Sequence, residues 1–159
     1  MTKEEYLKSM KMVQKMDFKD RVNDLNALKQ AFGDQVVEVV LTERGKKVEQ
    51  QWQQIASQRG KNDIEELKET LWKWVQEAGF EFTSTETDEG TQFHVTRCPL
   101  AEIARELQAA DWGYTCFCAD DPHIVAGFNP AMGFRRTKTL MEGHDCCDHF
   151  YYMKADSSK

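Results

Sequence analysis

The residues best suited to chemistry lie late in the 159-residue chain. All five cysteines follow position 97, and the four histidines lie between positions 94 and 149. Thiols and imidazoles serve as nucleophiles, general bases and ligands for soft metals. An odd number of cysteines favours reduced thiols over a disulfide framework. We therefore expect a functional site rich in thiols and imidazoles in this part of the chain.

The run TQFHVTRC alternates apolar and polar residues, which is typical of a strand. If Phe93 and Val95 face a helical layer, then His94, Thr96 and Cys98 point to the opposite face, where a pocket can form. We predict that Cys98 is catalytic there and that His94 and Thr96 contact a substrate.

The last predicted strand, CCDHFYYM, places Cys147, His149 and Tyr151 on one face. Two strands that each present a Cys and a His suit a nucleophile with its base. The register between the strands is open at this stage. Cys98 or Cys147 is the predicted nucleophile, with water activated by a base as the alternative, whereas Cys116 and Cys146 are expected to fill the core.

The connecting segment CFCADDPH brings further carboxylates towards the same region. Either carboxylate of the pair Asp120 and Asp121 can act as a base or cap a turn, and His144 can equally serve a turn. An arginine can clamp a substrate carboxylate. The predicted acid–base and substrate-binding residues are Asp120, His144, His149, Arg135 and Arg136.

A metal site is a second interpretation of the same residues. Cys98, Cys118 and Cys147 are the predicted ligands, together with His144 or His149, and zinc or iron is the expected ion. The chain lacks the two closely spaced ligand pairs of a structural zinc site. Such a site would have to be assembled from single residues of several elements.

Helical periodicity dominates the first 79 residues, which are expected to form a scaffold. It predicts helices over 3–32 and 36–58, and a third that begins after Asn62 or Asp63 and buries a stripe including Leu71, Trp74 and Val75.

Strand-like alternation begins at Phe80, and TDEG supplies the turn of a hairpin. A helix is expected over 100–110, while 111–130 is open between short helix and loop. Two more strands, MGFRRTKTLM and CCDHFYYM, flank the turn-forming residues 142–145. We predict a single α+β domain over 1–154, in which the helical half, 1–79, packs on a four-stranded antiparallel sheet from 80–154, and a disordered tail at 155–159.

The charge balance limits the partners of the protein. The net charge is −6, the pI is near 5.3 and the basic residues are dispersed, which excludes a nucleic-acid partner. The sequence has no apolar run long enough for a membrane span or a signal peptide. We expect a cytoplasmic protein that binds a small molecule, with a homodimer as one assembly it can form.

The carboxy-terminal half resembles the L-2-amino-thiazoline-4-carboxylic acid hydrolase family of small bacterial proteins. The resemblance rests on RCPLAEIARELQ, CFCADD, GFNPAMGFRRTKTLMEG and HDCCDHFYYM, in that order. The shared features are a Cys-Pro after a strand, a Cys shortly before Asp, an Asn-Pro before a Thr-rich strand, and a Gly-Asp turn leading to Cys. Here His144 interrupts the turn and Cys146 precedes Cys147.

The resemblance implies a hydrolase of a carbon–nitrogen bond in a small cyclic amidine. The named candidate reaction opens the ring of L-2-amino-thiazoline-4-carboxylate to give N-carbamoyl-cysteine. A sensor or carrier that binds a small ligand or metal through the same residues, without turnover, is the alternative.

Overall fold

Two long helices form the amino-terminal part of the computed structural model, which describes residues 1–155. Helix α1 (Lys3–Phe32) begins with a capping box, in which the Thr2 side chain accepts from the Glu5 N–H and the Glu5 carboxylate accepts from the Thr2 N–H. It ends at Gly33, whose φ of 81° favours glycine. Helix α2 (Gln35–Arg59) follows at once. Both predicted helices are thus confirmed to within a residue at each end.

The third helix contains a π-helical turn. It runs through α3 (Ile64–Leu67), the π-helical turn (Lys68–Trp72) and α4 (Lys73–Glu77), after Asp63 has capped its start. The wider turn shifts the helical phase, so that Trp72 is 5% exposed and Trp74 is 60% exposed. The prediction that Trp74 is part of the buried stripe was therefore wrong. Trp72 instead stacks on Phe93 at 3.9 Å between ring centroids and holds this helix on the sheet.

Four antiparallel strands form one sheet in the order β1-β2-β4-β3, which confirms the predicted α+β class. The strands are β1 (Glu81–Thr87), β2 (Gly90–Arg97), β3 (Met132–Arg135) and β4 (Cys147–Met153). In the central pair Phe93 lies opposite His149 and Val95 lies opposite Cys147. This register, which the sequence left open, sets the positions of the thiol and imidazole of β4.

Three further helices follow the hairpin: α5 (Pro99–Glu106), α6 (Ala110–Cys116) and α7 (Asp121–Phe128), of which α7 packs against β3. The segment that the sequence left open is therefore mainly helical. Helices α7 and α2 approach each other closely, since a Cβ atom on Gly127 would lie 2.3 Å from the Glu49 carbonyl oxygen.

The third predicted strand is shorter than expected. After Arg135 the chain continues as an irregular segment, 136–139, which we call the strap. The Asp148 carboxylate accepts from the backbone N–H groups of Thr137 and Lys138, at 2.8 and 2.6 Å, and from the Thr137 hydroxyl. Because a side chain takes these donors, the backbone ladder between β3 and β4 ends here.

The hydrophobic core lies between the sheet and the helices, with Phe18, Leu67, Phe93, Phe128 and Tyr151 among its most buried members. No helix within residues 1–155 is long and apolar enough to cross a membrane. The predicted disordered tail lies outside the described residues except for Ala155.

Candidate functional site

A pocket of about 260 Å³ lies between the third helix and the face of the sheet that carries Val95, Cys147 and His149, which we call the inner face. That volume is close to the lower end of the ~300–1,000 Å³ usual for small-molecule sites. Residues from the helices, the sheet and the strap all contribute to its wall. They are Leu71, Trp72, Trp74, Val75, Phe80, Val95, Cys98, Leu100, Phe117, Cys118, Asp120, Asp121, Ile124, Arg136, Met141, Cys147, His149 and Tyr151.

The pocket lies on the face of β2 that carries Val95, not on the opposite face as predicted. His94 and Thr96 are exposed on the outer face, where the Thr96 hydroxyl donates to the Glu81 carbonyl oxygen. Cys98 escapes the alternation because the chain turns into α5 at Pro99, so that Cys98 is the N-cap of a helix. The structure therefore brings Cys98 into the pocket and keeps the predicted substrate contacts His94 and Thr96 out of it.

Three thiols line this one pocket, and each comes from a different element. The Cys98 Sγ accepts from the Ala101 N–H at 3.4 Å, and the Cys147 Sγ accepts from the Leu140 N–H at 3.1 Å. Cys118 stands at the short turn that precedes α7. All five cysteines are free, and Cys116 and Cys146 are buried away from the pocket.

Burial controls the protonation of these thiols. It raises the pKa of Cys98 to about 12, although the N–H of Ala101 opposes the shift. Burial likewise raises the pKa of Cys118 and of Cys147, and in Cys118 the nearby negative charge of Asp121 adds to the effect. At pH 7 a thiol with a pKa of about 12 is ionised in about one molecule in 10⁵. The pocket therefore presents neutral thiols.

Asp121, Arg136 and His149 form a hydrogen-bonded group that we call the Asp121 network. One carboxylate oxygen of Asp121 accepts from the Arg136 guanidinium and lies 3.2 Å from His149 Nε2. Arg136, whose side chain is 7% exposed, also donates to the Cys118 carbonyl oxygen and lies over the ring of Tyr114. Of the two adjacent carboxylates, Asp121 is thus the one that joins the pocket arginine and histidine.

His149 has one ring nitrogen without a partner. Its Nδ1 is buried and makes no hydrogen bond. The tautomer that donates from Nε2 to Asp121 leaves a lone pair on Nδ1. A carboxylate that fixes the imidazole in this way prepares the other nitrogen to accept a proton.

Asp120 lines the pocket but has another partner. Its carboxylate accepts from Arg44 of α2 at 2.5 Å, and Arg44 also donates to the Cys116 carbonyl oxygen. Burial raises the pKa of Asp120, and the Arg44 charge opposes the shift. Asp120 therefore ties α2 to the segment that carries Cys118 and Asp121.

Two further predicted site residues, besides His94 and Thr96, lie away from the pocket. His144 is exposed in the turn before β4, where Nδ1 lies 3.2 Å from the Thr139 carbonyl oxygen. The Arg135 guanidinium lies over the rings of Phe150 and Tyr152 on the outer face of the sheet. The alternation of β3 explains this separation, since Arg135 ends the strand and Arg136 begins the strap that leads to the pocket.

A larger groove of about 840 Å³ crosses the outer face, and Arg135 and Asp148 help to line it. None of the cysteines or histidines lines this groove. It therefore offers none of the nucleophiles and bases that converge on the inner pocket.

No three His, Cys, Asp or Glu side chains are arranged to hold a metal ion in the part of the chain that the structure describes. The predicted set Cys98, Cys118 and Cys147 lines one pocket but is not a metal centre in this arrangement.

Sequence reasoning missed the aromatic wall of the pocket, formed by Trp72, Trp74 and Phe80 with Tyr151. The helical periodicity predicts a buried position for Trp74 and gives no indication that it lines a pocket. The π-helical turn, Lys68–Trp72, has no clear sequence signature that would have revealed the position of Trp74.

The fold and the pocket together define a small α+β protein with a thiol-lined pocket. Residues 22–151 match the sequence profile of the L-2-amino-thiazoline-4-carboxylic acid hydrolase family, and the chain belongs to that family. No curated protein matches the chain. No solved structure matches it either.

Proposed function

We propose that the protein hydrolyses a small cyclic amidine, with L-2-amino-thiazoline-4-carboxylate as the first candidate. The observation that carries this proposal is the convergence of three thiols and the Asp121 network in one pocket of small-molecule size. Membership of a family described by that hydrolysis supports the same reaction class.

The chemistry of this candidate identifies the bond that breaks. N-carbamoyl-cysteine keeps both amidine nitrogens on the central carbon and carries a free thiol. Water therefore supplies the carbamoyl oxygen, the ring carbon–sulfur bond breaks, and the departing sulfur takes a proton. For this substrate the bond that breaks is the carbon–sulfur bond. The expectation of carbon–nitrogen cleavage therefore does not hold for it.

We assign the general base to His149. Its Nδ1 has no partner but is buried, so we propose that the imidazole shifts on substrate binding until Nδ1 reaches the nucleophile and takes its proton, while Asp121 stabilises the imidazolium that forms. Arg136 has donors beyond those used by Asp121 and the Cys118 carbonyl oxygen, and these bind the substrate carboxylate.

Water is the proposed nucleophile, because the pocket thiols are neutral at pH 7. We expect Cys98→Ser and Cys147→Ser, made separately, each to keep turnover within about tenfold of the unmodified protein. A nucleophilic cysteine is instead expected to lose nearly all turnover on this change. Loss of activity in either variant, with the fold intact by circular dichroism, would therefore assign the attack to that thiol.

The test of the reaction is incubation with L-2-amino-thiazoline-4-carboxylate in ¹⁸O-labelled water. Product formation is followed by mass spectrometry. We expect N-carbamoyl-cysteine with the label in its carbamoyl oxygen. His149→Gln serves as the matched inactive variant, and equal product from both proteins would refute the assignment of the base.

A second function uses the same pocket for binding alone. It is favoured by one observation, that the Asp121 carboxylate is already paired with Arg136 and His149 within the protein. In that case the amino-thiazoline stabilises the protein against thermal unfolding but is recovered unchanged.

A further inference from the structure

The wall of the pocket divides into two chemically distinct parts. Eight of its residues come from the segment 71–100, and none of them carries a charge: Leu71, Trp72, Trp74, Val75, Phe80, Val95, Cys98 and Leu100. The charged and imidazole groups come from 120, 121, 136 and 149, and three of these four form the Asp121 network. A ligand that fits both parts has a polar head and an apolar body.

The apolar part extends to the surface at Trp74. This indole lines the pocket yet is 60% exposed, whereas Trp72 is 5% exposed and already stacked on Phe93. Leu71 and Phe80 beside it are half-buried. Apolar surface of this kind gains free energy when a ligand removes it from water, and an aromatic ligand also gains from ring contacts.

The named amino-thiazoline matches only one part. Its carboxylate and amidine find partners in Arg136 and Asp121, but it carries no substituent that reaches a wall of tryptophan and phenylalanine. It has no apolar group beyond its ring with which to cover Trp74. The geometry therefore calls for a larger ligand than the one that gives the family its description.

We propose that the ligand of this pocket is an amphiphile, a cyclic amidine carboxylate whose apolar, preferably aromatic, substituent packs on Trp74 and Phe80. Trp74 is then a specificity-determining residue. The head group rests on the proposed function, whereas the apolar substituent rests on the pocket wall alone.

The test uses a pair of ligands that bind without ring opening. The probes are 2-amino-thiazole-4-carboxylate and its 5-phenyl derivative, whose aromatic rings resist hydrolysis. Dissociation constants are measured by calorimetry with the unmodified protein, with Trp74→Ala, and with Phe32→Ala as control. Phe32 matches Trp74 in being aromatic, helical and 61% exposed, and it lies away from the pocket.

We expect the phenyl derivative to bind at least tenfold more tightly to the unmodified protein and to Phe32→Ala, and Trp74→Ala to lose most of that preference. Equal affinities of the two probes, no binding of either, or an undiminished preference in Trp74→Ala would each overturn the proposal. Ring opening of the thiazoline is measured separately, so that absent hydrolysis with a retained phenyl preference refutes the proposed reaction and leaves the ligand class standing.

Discussion

The Asp121 network should contribute to stability as well as to chemistry, and Asp121→Asn is the change that separates its charge from its shape. Asparagine keeps the size of the side chain and one acceptor oxygen. It removes the negative charge that Arg136 and His149 share. Arg136 is then left as a cation without its counter-charge in a site where its side chain is 7% exposed.

The expected loss of unfolding free energy in Asp121→Asn follows from the burial of the ion pair. Removing one partner of a fully buried ion pair costs about 3–5 kcal/mol. The Asp121 side chain is 22% exposed and asparagine retains one hydrogen bond, so we expect a smaller loss, about 2–3 kcal/mol. For a domain of this length that loss lowers the melting temperature by roughly 5–10 °C.

Urea unfolding followed by circular dichroism measures the change, and Asp17→Asn is the control. Asp17 also pairs with an arginine, at 2.8 Å, but that pair is exposed on α1 and should contribute no more than about 0.5 kcal/mol. Arg136→Met and the double variant, which carries both Asp121→Asn and Arg136→Met, complete a double-mutant cycle. Because the second change removes the stranded cation, the double variant should be less destabilised than the sum of the single ones, by about 1–3 kcal/mol.

An Asp121→Asn variant as stable as Asp17→Asn would refute this reasoning, since it would mean that water reaches the pair. A fully additive double variant would mean that the two side chains do not interact.

Three further predictions test the strap, the base and the helix packing. Asp148→Asn should cost ~1 kcal/mol at pH 7 in thermal unfolding. Burial works to raise the pKa of Asp148, but the hydrogen bonds from the strap outweigh it and hold the pKa below 3.8. The loss of stability in Asp148→Asn should therefore be present above pH 3.8 and vanish as the pH falls below it. A loss of stability that does not change with pH would contradict this. His149→Gln should lower kcat at least about 10²-fold, while His144→Gln, in the exposed turn, should leave it unchanged; equal effects would exclude His149 as the base. Gly127→Ala should cost about 1–3 kcal/mol in urea unfolding because its Cβ meets the Glu49 carbonyl oxygen, and a neutral change would show that α2 and α7 can separate.

Local pattern was enough to predict the two long helices, the start of the third helix and the hairpin, but it left 111–130 open between short helix and loop. The cap at Asp63, which starts the third helix, and the alternation around Phe93 are local signals whose effects depend on near neighbours in the chain. The shared face of Cys147 and His149 follows from strand geometry in the same way.

The predicted third strand failed for a non-local reason. Nothing near Thr137 in sequence indicates that Asp148, eleven residues on, will take its N–H and end the ladder. Arg136 follows the end of the strand and lines both the pocket and the outer groove, whereas Arg135 lines only the outer groove of the two. The alternation of residues along one strand cannot predict that a side chain from another strand will bind its backbone N–H groups.

The sequence alone determined three properties of this protein: its α+β class, its family resemblance, and the presence of a region rich in thiols and imidazoles. Only the tertiary structure decided which of these groups meet. Strand register set Cys147 and His149 beside the helical layer, the turn at Pro99 brought Cys98 to the same side, and the π-helical turn left Trp74 at the surface of the pocket. Each of these positions depends on contacts between segments that are distant in sequence, and the energies of such contacts cannot be derived from the residues of one local segment.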